Sequence, residues 1–153
     1  MSSDYVKLIA TNKKARHNFH IDDELEAGIV LVGSEVKAIR GGRVSFQDAY
    51  AVIKHGEVFL RQLHISPYEY AYNANHEAMR TRKLLLHMYE IQKLEGKIKE
   101  RGYTLVPLKI YFRNDKIKVL LGLGKGKKLY DKRETIKQKD IKRDMDREHK
   151  KTS

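Results

Sequence analysis

The chain of 153 residues contains no cysteine and no tryptophan, only two prolines, and no continuous apolar run of the roughly 20 residues that a membrane-spanning helix needs. Each absence excludes something. Without cysteine there is no disulfide framework, no thiolate nucleophile and no cysteine-based zinc site. Without a spanning segment, a lipidation motif or a strongly amphipathic basic helix carrying Trp and Phe, membrane attachment is not expected. The opening stretch MSSDYVKLIATNKKARHNF lacks the apolar region of a signal peptide, so cytoplasmic residence is the expectation. Acidic charge is also short: 20 Asp and Glu face 32 Lys and Arg, a net charge of +12. That excess favours a polyanionic partner, because each neutralised phosphate releases a condensed counterion, and nucleic acid leads the candidates.

A hydrophobic content of 41% supplies material for one compact domain. The charge is unevenly spread. Residues 125–153 hold 12 Lys and Arg against 6 Asp and Glu, a net of +6, which is half the charge of the chain in its last fifth. Leu129, Tyr130, Ile136, Ile141 and Met145 are the only sizeable apolar groups there, too few to offset the entropy of ordering a helix in isolation. The division is therefore residues 1–124 as a folded domain and 125–153 as a basic tail, disordered when free and able to turn helical on a partner.

In the first 124 residues, Gly28 to Gly33 is an apolar run suited to a buried strand, and Ser34 reads as the N-cap of a short helix stopped by Gly41 and Gly42. Two hairpins follow from turn signals. Lys54-His55-Gly56-Glu57 joins Ala49–Ile53 to Val58–Leu63, and Arg113-Asn114-Asp115 joins Thr104–Phe112 to Lys116–Leu123. From Arg82 to Arg101, Leu84, Leu85, Met88, Ile91, Leu94 and Ile98 follow the spacing of an amphipathic helix that Gly96 weakens. Five or six strands with covering helices predict a mainly β, α+β fold: a small OB-fold-like barrel.

Catalytic patterns fail on inspection. Gly122-Leu-Gly-Lys-Gly-Lys-Lys lacks both the spacing and the hydroxyl of a phosphate-binding loop, and Gly28 to Ser34 has serine where the essential lysine belongs. Gly122, Gly124 and Gly126 are read instead as letting a basic backbone leave the barrel and lie close to phosphate. Glu35 and Lys37 have the two-residue spacing of a metal-dependent nuclease strand, but on the predicted helix they diverge and cannot share one metal, so a solvated or RNA-facing helix is expected. His17 and His20 alone among seven histidines lie close together, without a carboxylate partner to complete a metal site. No enzyme activity, cofactor, metal or small-molecule substrate is expected. The basic clusters at residues 12–17, 40–43, 80–83 and in the tail, interspersed with nine tyrosines, point to RNA.

Four segments then carry a specific likeness: Asn12-Lys-Lys-Ala-Arg-His17, Glu26-Ala-Gly-Ile-Val-Leu-Val-Gly-Ser-Glu-Val-Lys37, Arg80-Thr-Arg-Lys-Leu-Leu-Leu-His87 and Gly126-Lys-Lys-Leu-Tyr-Asp-Lys-Arg133. In this order and spacing, and over essentially the whole chain from about residue 8, they resemble the SsrA-binding protein (SmpB) family. The resemblance implies an RNA-binding protein that takes the tRNA-like domain of transfer-messenger RNA to stalled ribosomes for trans-translation, with the tail entering the decoding centre and message channel. It implies RNA-binding roles for Asn12, Lys13, Lys14, His17, Glu26 and Leu85, with Arg82 and Lys83 beside Leu85, and a ribosome-binding motif of Gly126, Lys127, Lys128, Tyr130, Asp131, Lys132 and Arg133. Tyr130 stands where several members have histidine; it can supply stacking but not an ionisable imidazole. The competing reading is a general single-strand RNA-binding or ribosome-associated module.

Overall fold

A computed structural model describes residues 5–67 and 75–126. Its elements in chain order are β1 Val6–Thr11, α1 Lys13–Asn18, β2 Phe19–Ile29, α2 Gly33–Arg40, β3 Val44–Ser45, β4 Tyr50–Lys54, β5 Glu57–Arg61, β6 His64–Ile65, β7 Arg82–Leu85, α3 Met88–Arg101, β8 Thr104–Arg113 and β9 Lys116–Gly126. Hydrogen bonding runs β8-β4-β5-β7-β2-β9 and returns from β9 to β8, so six strands form a ring-like sheet, with β1 added along the far half of β8. The mainly β, OB-fold-like architecture expected above is the one found.

Bulges make the curvature possible. β2 shifts register between Ile21 and Asp23, and β8 between Pro107 and Lys109; such irregularities bend a strand and increase its twist. Pro107, which has no N–H to give a ladder, is tolerated at one of them. The β8 bulge also reverses which side chains point inward. Leu105 and Ile110 join the central core with Leu60, Leu84, Val119, Leu121 and Leu123, whereas Val106 and Leu108 point outward into a second small core under α1 with Ala15. Ala38 and Ile39 of α2, and Ile91 and Leu94 of α3, close the central core.

Both predicted hairpins are present, as β4-β5 and β8-β9. His55 and Gly56 take φ of 53° and 74°, the left-handed pair of a two-residue turn matched to strand twist. Other expectations change. The sheets use nine strands among the described residues rather than five or six. Residues 82–85 form β7, and the helix begins only at Met88 and continues unbroken through Gly96. The run from Gly28 leaves the sheet after Ile29, and Val30 and Val32 are exposed. The N-cap of α2 is Val32, not Ser34; Glu35 Oε1 accepts the Val32 N–H at 2.9 Å, while buried Ser34 bonds His76 Nδ1 at 2.8 Å.

Gly122 and Gly124 lie within β9 and serve close packing. A Cβ at Gly124 would lie 2.5 Å from the His20 carbonyl oxygen, and one at Gly122 would lie 2.9 Å from Leu108 Cδ1. A backbone neighbour cannot move aside as a side chain can. Gly124→Ala is accordingly expected to cost about 1–3 kcal/mol, read as a lowered denaturation midpoint with unchanged slope. A wild-type midpoint would show that β2 and β9 are not so closely apposed.

Candidate nucleic-acid interface

The alternation of β7 decides which of its side chains face outward. Arg82 and Leu84 are buried, whereas Lys83 and Leu85 are exposed. Leu85 pairs with Gly28 of β2, Gly28 with Lys118 of β9, and Lys118 with Tyr111 of β8. Leu85 leans over the glycine, its Cβ 3.3 Å from where a Gly28 Cβ would stand, and remains 52% exposed. One row therefore crosses the outer face of four strands, from an apolar group to a cation to a phenol.

Glu26 lies beside this row. It is paired with Leu120 of β9, and its Oε1 accepts the Tyr111 hydroxyl at 2.6 Å and Arg113 Nε at 2.7 Å. Burial pushes the carboxyl up, but the Tyr111 and Arg113 hydrogen bonds and the charges of Arg113 and Lys118 outweigh it and hold Glu26 below the usual carboxylate range. Burial, reinforced by the hydrogen bond and charge of Glu26, pushes the Tyr111 phenol to about 12. At neutral pH the phenol is a fixed donor and the carboxylate a fixed anion.

The other end of the same outer face is covered by α1. Ala15 is buried against Val106 and Leu108 with Phe19, Ile21 and Leu120 around it, so Lys13, Lys14 and His17 are turned to solvent. Asn12 acts as the anchor. Its backbone N–H donates to the Leu108 carbonyl at 2.7 Å and its Nδ2 to the Pro107 carbonyl at 2.8 Å, which ties the start of α1 to the β8 bulge. A cleft of about 380 Å³ opens beside the helix between Lys14, Asn18, Phe19, Tyr50 and Gly126.

Seven of the eight residues proposed from the sequence for RNA thus lie on or anchor this outer face: Asn12, Lys13, Lys14, His17, Glu26, Lys83 and Leu85. Arg82 does not. It is 0% exposed inside the ring, with Nε on Glu35 Oε2 at 2.5 Å, Nη1 on the Leu63 carbonyl at 2.7 Å and Nη2 on the Ala78 carbonyl at 3.0 Å. The helix α2, expected to be solvated or RNA-facing, turns Glu35 inward: it too is fully buried, and it also accepts Arg80 Nη2 at 2.6 Å. Burial pushes Glu35 up, but Arg80, the Val32 N–H and Arg82 hold it below the ordinary range. A carboxylate so engaged has no vertex for a metal ion, which removes the nuclease reading. Tyr111 and Arg113, which hold Glu26, are not among the residues expected from the sequence; they alternate on β8, with Tyr111 opposite Lys118 and Arg113 opposite Lys116.

Gly126 is the last residue of β9, paired with Phe19, and Lys125 pairs with His20. Strand β9 thus runs two residues past Gly124, the expected end of the folded domain. Lys127, Lys128, Tyr130, Asp131, Lys132 and Arg133, with the expected disorder of the tail, lie outside the described residues.

The family model described as SmpB protein matches residues 9–151. This chain belongs to the SmpB family. It is 57% identical to the SsrA-binding protein of Bacillus subtilis (strain 168) over 141 residues, covering 92% of this chain and 90% of the relative. It is 54% identical to the SsrA-binding protein of Acetivibrio thermocellus over 147 residues, covering 96% of each. A solved structure described as "tmRNA-SmpB: a journey to the center of the bacterial ribosome" matches with a TM-score of 0.69 at 48% identity, over 85% of this chain and 92% of that one. The SmpB match runs through residue 151, so the basic segment beyond the described strands is part of what the family shares.

Proposed function

We propose that this SmpB-family chain binds the tRNA-like domain of transfer-messenger RNA and delivers it to stalled ribosomes for trans-translation, acting in the cytoplasm as an RNA-binding factor and not as an enzyme. The observation that carries this reading is identity above half over nine-tenths of the chain to SsrA-binding proteins. The outer face supports it in physical terms. Rigid strands and a helix packed on them hold Lys13, Lys14, His17, Lys83 and Leu85 in fixed relation, as recognition of an RNA shape requires. Residues 127–153, with Lys127, Lys128, Tyr130, Asp131, Lys132 and Arg133 leading, enter the decoding centre and message channel.

Binding of the full chain to a tRNA-like RNA, competed by a length-matched unstructured RNA across a range of salt, tests the proposal. Unstructured RNA is expected to compete at least tenfold less well at salt where nonspecific contacts are screened. Equal competition would favour the general single-strand module instead.

A further inference from the structure

Resting on that reading, Glu26 presents a problem: a carboxylate stands on a face offered to a polyanion. The hydrogen bonds resolve it. One oxygen of Glu26 holds both the Tyr111 hydroxyl and Arg113 Nε, and the Arg113 guanidinium carbon lies 5.9 Å from the centre of the Tyr111 ring. We infer that Glu26 is a positioning residue and that Arg113, braced by Glu26 and Tyr111, is an RNA-contacting residue that meets a backbone phosphate.

Arg113 is the last residue of β8, next to the Asn114-Asp115 turn, where an unbraced arginine would sample many rotamers. A bond at Nε and a ring beneath the guanidinium fix its plane. Its side chain is still 35% exposed. A guanidinium in a set plane suits the fork geometry of phosphate recognition. Lys118, the cross-strand partner of Tyr111, brings a second cation to the same place, so the face is cationic despite the carboxylate. Glu26 lies two strands from Arg113 in the order β2-β9-β8, and the contact ties together the strands that carry Leu85's row.

A double-mutant cycle separates positioning from direct contact. Removing a negative charge near a polyanion should by simple electrostatics tighten binding. Positioning predicts the opposite: Glu26→Ala weakens binding to the tRNA-like RNA by about tenfold, the scale of freeing one bound side chain. Arg113→Ala is expected to weaken it at least as much and to lower the salt slope by about one. Arg113→Lys keeps the slope but loses affinity. The pair Glu26→Ala, Arg113→Ala should bind no worse than Arg113→Ala alone.

Tighter binding by Glu26→Ala, additive losses in the pair, or wild-type affinity in Arg113→Ala would each overturn the inference. Thermal melts accompany each variant, and Glu26→Gln, which keeps the volume and an acceptor, replaces Glu26→Ala if the latter fails to fold, with a smaller loss expected. If wild type does not prefer the tRNA-like RNA, the functional reading fails, while the same cycle on the unstructured RNA still decides whether Glu26 acts through Arg113.

Discussion

Glu35→Ala is expected to lower stability by about 3–5 kcal/mol, the scale measured when one partner of a buried ion pair is removed. For a chain of this size that corresponds to a fall in Tm of about 6–20 °C. The reason lies in what remains. Arg82 would keep its bonds to the carbonyls of Leu63 and Ala78 but would carry an unpaired charge inside the ring, and Arg80 would lose both of its bonds to the carboxylate. The N-terminus of α2 would lose the acceptor for Val32 N–H as well. Replacing the pair together, Glu35→Leu with Arg82→Met, is expected to restore only part of the loss: it removes the unpaired buried charge, but the Val32 N–H and the Leu63 and Ala78 carbonyls still lose their partners.

The acid limb gives a second reading of the same contact. The Glu35 carboxyl is held below its ordinary value of 4.5, so the unfolded chain binds its proton first as pH falls. The stability it contributes is complete above that value and is lost as pH drops through the depressed one. Wild type should lose stability on acidification in that window, and Glu35→Ala should show a flatter limb. A Glu35→Ala chain that melts with wild type at neutral pH would contradict the account of the pair.

Ending the chain after Gly126 is expected to abolish ribosome rescue while leaving the folded domain intact. The cut must fall there and not after Gly124, because Lys125 and Gly126 pair with His20 and Phe19 in the sheet. The shortened chain keeps 21 Lys and Arg against 14 Asp and Glu, so it still attracts RNA, with a smaller salt slope and a lower affinity for any RNA. In a reconstituted translation reaction on a message without a stop codon, tagging should fall to the level seen without the protein. Rescue retained by the shortened chain would remove the tail from the mechanism.

What was legible in the sequence depended on the range of the signal. The hairpins were read because Lys54-His55-Gly56-Glu57 and Arg113-Asn114-Asp115 state their turns locally. β7 looks helical in the sequence because Leu84 and Leu85 continue into Met88, Ile91 and Leu94 at helical spacing, and two leucines in a row hide the alternation that turns one inward and the other outward. The same alternation buries Arg82. Glu35 could not be placed inside from local pattern, since a buried carboxylate is admissible only with partners, and these arrive from 45 and 47 residues away. β2 is hard to read from local pattern because Asp22, Asp23, Glu24 and Glu26 make it polar, and only its second half, with Leu25, Ala27 and Ile29 turned to the core, alternates. The RNA roles proposed for Asn12, Lys13, Lys14, His17, Glu26 and Leu85 come from the SmpB likeness alone, whereas the contacts of Tyr111 and Arg113 with Glu26 depend on strand pairing that no local pattern states.

The measurement that bears most directly on the central claim, that the barrel face recognises the RNA and the tail does not, is the selectivity of the chain ended after Gly126. Its affinities for a tRNA-like RNA and a length-matched unstructured RNA are measured across salt beside those of the full chain. Both affinities should fall, with their ratio unchanged. A ratio that collapses to one on removal of the tail would contradict the account.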